Sequence, residues 1–139
     1  MGVNTMAKNL EEGKRWLAQA QRDLADAKVL LGAESYASSC FYAQQAADKA
    51  AKGFLYSQGI RAIVSHSVTR LVNEGAKFDA SFVNFVEAGR ELDRHYIASR
   101  YPNFYAEGAA YEYYTQEMAD RCIKYATLIL TSVDKSLAR

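Results

Sequence analysis

Chemistry concentrates in residues 90–102, Arg90-Glu-Leu-Asp-Arg-His-Tyr-Ile-Ala-Ser-Arg-Tyr-Pro102, where three arginines stand with a histidine, carboxylates and two tyrosines. Arg90 and His95 are separated by four residues. A guanidinium presents two parallel donors that match a phosphate. An imidazole titrates near neutrality and can take a proton from a ribose hydroxyl or give one to a leaving group. The pair therefore points to nucleotide or phosphodiester chemistry, with a solvated helix end as the plainer alternative. On an ideal helix the two side chains diverge by about 140°. They converge only if the helix frays near His95 or if two subunits face each other.

Other residues could complete such a site. Asp93, three residues after Arg90, would orient it or form an ordinary surface ion pair. Arg100 precedes Tyr101 and Pro102; it could hold a phosphate while a ring stacks on a base, or it could cap the preceding helix. Six of the ten tyrosines fall between positions 96 and 114, with Tyr96 and Tyr101 flanking the charged segment. They suit base stacking, a protein interface, or packing of a loop onto the body of the fold. Gln44, Gln45, Asp48, Lys49 and Lys52 read as the polar face of one helix, either solvated or turned to a ligand. His66, between two serines, would line the same cleft or cap a short helix. No glycine-rich phosphate loop, metal-spaced carboxylate pair or Ser-His-Asp pattern is present, so magnesium-dependent nucleotide hydrolysis is disfavoured and no metal or cofactor is expected.

These residues need a scaffold, and the scaffold predicted is all-α: an up-and-down bundle of four long helices plus one short helix. Alanine is abundant and alternating β-branched runs are scarce. Trp16, Ala20, Leu24, Ala27 and Leu31 form a stripe on a first helix over about residues 9–31, with Gly32 as the residue of positive φ that ends it. Ser35 would cap a second helix to about Gln58, with Tyr36, Cys40, Ala43, Ala47, Ala50 and Phe54 inward and Gly59 as its stop. A short helix covers Val68 to about Glu74. A fourth long helix starts at Asp79 or Ser81, carries Phe82, Phe85, Val86, Gly89 and Leu92 inward, and ends before Pro102. After a loop over 103–114, a last helix spans about Thr115 to Ser136. The reading is one domain over 9–137, with residues 1–8 disordered.

Composition is consistent with this. The chain has 139 residues, half of them hydrophobic, and a net charge of +1, so no global field attracts nucleic acid and any such contact must be local. Cys40 and Cys122 lie in apolar helical patterns without ligand-like spacing and read as buried free thiols of a cytoplasmic protein. No secretory signal and no membrane span is expected.

Three blocks together resemble the HEPN domain family: Ala20-Gln-Arg-Asp-Leu-Ala-Asp-Ala27; Cys40-Phe-Tyr-Ala-Gln-Gln-Ala-Ala-Asp-Lys-Ala-Ala-Lys52 with Ser65-His66-Ser67; and Leu92-Asp-Arg-His-Tyr-Ile-Ala-Ser-Arg-Tyr-Pro102. The resemblance covers about residues 12–137. It implies a helical bundle that often dimerises and pairs with a minimal nucleotidyltransferase, often as toxin and antitoxin. It also implies an arginine, four to six residues and a histidine as the nuclease motif, which Arg90 and His95 match in spacing. The tyrosine that the transferase modifies in toxin members is not carried over, because Ile97 stands in its place. The Arg100-Tyr101-Pro102 ending belongs to a subgroup often bearing tyrosine where His95 stands, which favours nucleotide binding over cleavage.

The leading expectation is therefore a homodimeric protein that binds a nucleotide or RNA phosphate in a polar cleft. Arg90, Asp93, Tyr96, Arg100, Tyr101, Gln45, Lys49, Lys52 and His66 would line it. One alternative is a metal-independent ribonuclease toxin using Arg90 and His95. The other is a non-catalytic interaction module whose tyrosines meet the nucleotidyltransferase.

Overall fold

An apolar stripe on one helix needs a partner, and here the helix that is buried on most of its faces takes the centre. In the computed structural model, which describes residues 3–138, helix α2 (Tyr36–Ser57) packs between α1 (Val3–Gly32) and α6 (Gln116–Leu137). Its buried residues include Cys40, Ala43, Ala46, Ala47, Ala50, Ala51 and Phe54, a run of mostly small side chains that allows neighbouring helices to approach closely. The remaining helices α3 (Val68–Gly75), α4 (Val86–Asp93) and α5 (His95–Ala98) are short and lie against α2 and one another. The all-α architecture stands as the sequence predicts. Among the described residues no helix is long and apolar enough to cross a membrane.

The α1–α2 contact is tightest at Gly13 and Gly53. A Cβ added to Gly53 would lie 2.8 Å from the Gly13 carbonyl oxygen, and one added to Gly13 would lie 2.7 Å from that of Gly53. Backbone blocks the space on both sides, so the helices must separate to admit a methyl group. Gly53→Ala is therefore expected to lower stability by about 1–2 kcal/mol in urea denaturation, overpacking outweighing alanine's helix propensity. A stabilised variant would contradict the reciprocal contact.

Several element ends differ from expectation. Order begins earlier: residues 3–8, expected to be disordered, belong to α1, and residues 1–2 lie outside the described part. Gly32 is helical and does not take positive φ. That conformation falls on Glu34 (φ 61°), whose N–H donates to the Leu31 carbonyl while Ser35 N–H donates to that of Leu30, the paired bonds of a Schellman turn. Ser35 is the N-cap of α2 by position, but its side chain makes no capping bond. Gly59 does take positive φ (89°) and ends α2. Ser67, not His66, caps α3 by accepting from Arg70 N–H, and Thr115 caps α6 by accepting from Met118 N–H.

The fourth long helix is segmented. Asp79 caps a 3-10 segment over Ala80–Phe85, α4 follows, and the chain breaks step at Arg94 before α5. The 3-10 segment brings Phe82 against Phe54, with ring centroids 4.3 Å apart. The stretch between α5 and α6 contains 3-10 turns at Pro102–Phe104 and Ala110–Tyr113.

Candidate functional site

On α2, Gln44, Asp48 and Lys52 recur at four-residue spacing and so share one face. The sequence reads that face as polar and open, yet all three are buried: Gln44 is 0%, Asp48 2% and Lys52 6% exposed. Burial of such groups requires partners, and the partners come from α2 itself and from the segment before α3. Lys52 Nζ donates to Asp48 Oδ2 at 3.3 Å and lies 3.2 Å from Oδ1. His66 Nδ1 stands 3.6 Å from the same Oδ2. Gln44 Nε2 donates to the His66 carbonyl at 3.0 Å, and Gln45 Nε2 donates to Gln44 Oε1. Asp48 Oδ1 accepts no hydrogen bond despite its burial. Burial pushes the Asp48 carboxyl above the usual aspartate range, against the opposing pull of Lys52 and His66.

Outward from this buried pair runs a ladder of rings and charge. The exposed His66 ring stacks on Tyr96, centroids 5.4 Å apart and 13° from parallel. Tyr96 in turn lies 6.2 Å from Phe41 of α2. The Arg100 guanidinium sits 4.3 Å from the Phe41 centroid, 4.9 Å from that of Tyr96 and 5.1 Å from that of Tyr101. Arg100 Nε donates to the Tyr96 carbonyl at 2.8 Å, so the side chain caps the end of α5 and is oriented by doing so. The helix-capping and ligand-facing readings of Arg100 are thus compatible. Three aromatic faces hold a cation whose remaining nitrogens are open to solvent-borne acceptors, beside an exposed imidazole and the exposed Tyr101 ring.

The structure brings together His66, Lys52, Gln45, Tyr96, Arg100 and Tyr101, and adds Phe41, Gln44 and Asp48. It does not bring the others to this surface. Lys49 is drawn to α1, where its Nζ meets Asp23 Oδ2 at 2.6 Å, and Gln19 donates to the other oxygen of that carboxylate. Asp93 does not orient Arg90. Its Oδ2 accepts from Ser67 Oγ at 2.9 Å and Thr69 N–H at 3.0 Å, and its Oδ1 accepts from Val68 N–H at 2.7 Å. Arg90 is exposed and forms no hydrogen bond or ion pair among the described residues.

His95 is 7% exposed, and its Nδ1 is 2.7 Å from the Tyr114 hydroxyl. Within one chain, Arg90 and His95 therefore do not share a solvent-facing surface, and in this conformation His95 is not presented to a substrate. Glu91, which follows Arg90, is partly buried; hydrogen bonds from Arg121 and Arg94 outweigh that burial and hold its carboxyl below the usual range.

Sequence reasoning missed two features. It puts Asp48 on a polar face and not in the site, although the four-residue spacing from Lys52 is the signature of a helical ion pair. The proximity of Cys40, His95 and Cys122, whose ligand atoms all lie within 4.8 Å of one another, leaves no sequence signal because the three come from separate helices. Of the six clustered tyrosines, Tyr114 is buried and Tyr105 packs on Tyr113, so part of the cluster serves the fold.

The sequence matches the profile of the HEPN domain over residues 14–136. It is 34% identical over 131 residues, 88% of this chain and 86% of the relative, to the Methanocaldococcus jannaschii protein named "Putative toxin MJ1304". The fold is similar to the crystal structure of TT1696 from Thermus thermophilus, with a TM-score of 0.81 and 35% identity over 89% of this chain and 97% of that one. It is also similar to the crystal structure of ST0689, an archaeal HEPN homologue, with a TM-score of 0.76 and 38% identity over 91% and 98% of the two chains.

Proposed function

The chain belongs to the HEPN domain family, and from that premise we propose that it binds a nucleotide or an RNA phosphate on the surface formed by Arg100, His66, Tyr96 and Tyr101. The observation that carries this reading is the Arg100 guanidinium, oriented by the Tyr96 carbonyl and held against Phe41, Tyr96 and Tyr101 with donors to spare. A phosphate would meet Arg100 with His66 beside it, and a base would stack on the exposed Tyr101 ring. The buried Lys52–Asp48 pair supports the wall from behind by fixing His66.

In the same reading the protein acts as a homodimer with a minimal nucleotidyltransferase in a toxin–antitoxin-like pair. Its likeness to a protein named as a toxin supports that role. Cleavage by Arg90 and His95 receives less support, because a general base must reach the hydroxyl it deprotonates and His95 is buried against Tyr114.

Calorimetric titration of the full chain with ATP, AMP and a short single-stranded RNA tests the proposal. Arg100→Ala is expected to weaken binding about tenfold or more, the loss of one charge-assisted contact, with the helical content unchanged. Equal affinity in wild type, Arg100→Ala and His66→Ala would overturn it. Absence of nucleotide binding together with co-purification of the nucleotidyltransferase would move the assignment to a protein-docking surface.

A further inference from the structure

Three helices bring a set of soft ligands together. Cys40 of α2, His95 of α5 and Cys122 of α6 are all buried, and one ligand atom from each lies within 4.8 Å of the other two. Tetrahedral zinc with bonds of about 2.3 Å to sulfur and about 2.0 Å to nitrogen places its ligands roughly 3.5–3.8 Å apart. A contraction of at most about 1.3 Å in any separation therefore converts this cluster into a coordination shell.

We propose that Cys40, His95 and Cys122 form a buried zinc site that ties α2, α5 and α6 together. The chemistry of the donor set supports it. Two thiolates and an imidazole favour zinc over the hard cations, which take oxygen. Two thiolates also cancel the charge of the ion, so the loaded site is neutral and compatible with its apolar surroundings. The shell around it is of the right kind: the Tyr114 hydroxyl at 2.7 Å from His95 Nδ1 orients the ring, and coordination through Nε2 keeps that bond.

Zinc binds thiolates, so uptake displaces the thiol protons to solvent. Three protein ligands leave a fourth position to one small donor such as water. The inference is independent of the proposed nucleotide site. It gives His95 a structural role and anchors α5, a helix of only four residues that carries Tyr96 and leads into Arg100.

The test uses the full chain under a reducing phosphine, purified without chelator. The expected result is about one zinc per chain by elemental analysis, and about one equivalent of cobalt(II) bound by the metal-free protein. The cobalt spectrum should show tetrahedral d–d bands with thiolate-to-metal charge transfer. Cys40→Ala and Cys122→Ala should each abolish that spectrum while circular dichroism remains helical. X-ray absorption at the zinc edge of the wild type, which needs no variant, should report two sulfur neighbours and one imidazole. No retained zinc and no tetrahedral cobalt spectrum in the wild type would overturn the site, as would a spectrum that survives in both cysteine variants.

Discussion

Lys52→Met is expected to lower the unfolding free energy by about 3–5 kcal/mol at pH 8, because removing one partner of a buried pair strands the other charge. Against a typical total of about 5–15 kcal/mol this is severe. The stranded group is Asp48, 2% exposed, with one oxygen already lacking a hydrogen-bond donor and with His66 3.6 Å from the other. Methionine keeps most of the lysine's volume, so the effect reports charge more than packing.

The pH dependence follows from the direction of the Asp48 shift. Its folded-state carboxyl is raised from an ordinary value of 3.8, chiefly by burial. The folded chain thus holds that proton more tightly than the unfolded chain. The cost of the carboxylate appears as pH rises through the raised value and disappears as pH falls toward 3.8. Removing Lys52 raises the value further, so the deficit of Lys52→Met should shrink on acidification while the wild type's own carboxylates begin to titrate. Urea denaturation of both proteins at several pH values reads the difference. A deficit that does not depend on pH, or that Asp48→Asn in the same chain fails to relieve, would show that the two side chains are not coupled.

Asp93→Ala should be the second largest loss, about 2–4 kcal/mol. One carboxylate accepts three hydrogen bonds, from Ser67 Oγ and the N–H groups of Val68 and Thr69, and those two N–H groups open α3. First-turn donors have no partner within their own helix, so truncation leaves both unsatisfied. Asp93→Asn, with one acceptor oxygen, should lose about half as much. Thermal and urea unfolding measure the effect, and amide exchange at Val68 and Thr69 locates it. A fully stable Asp93→Ala that loses nucleotide affinity would instead restore the aspartate to a ligand-facing role.

The long helices α1, α2 and α6 were legible because their apolar stripes repeat over five or more turns, enough to override uncertainty at single positions. The fourth helix was not. Phe82, Phe85, Val86, Gly89 and Leu92 keep an approximate helical period through the 3-10 segment and into α4, so periodicity alone cannot see the change of pitch. In the candidate site, Arg100 with its neighbouring tyrosines was legible because all lie within a few residues. Asp48, Lys52 and Gln44 were misjudged because polar residues on a helix are read as solvated; Asp48 and Gln44 meet His66, at least eighteen positions away. Arg90 and His95 were paired by residue type, although helical spacing already sets them about 140° apart; the chain leaves Arg90 exposed and His95 buried.

The Asp93 carboxylate has a kinetic consequence. It grips the chain immediately after His66 and stands two residues before His95, so the segment bearing His66 and the one bearing Tyr96 and Arg100 are fastened to each other before any ligand arrives. A surface assembled in advance loses little freedom on capture. Encounter should then be limited by diffusion and alignment, and selectivity should be expressed in how long a bound molecule stays.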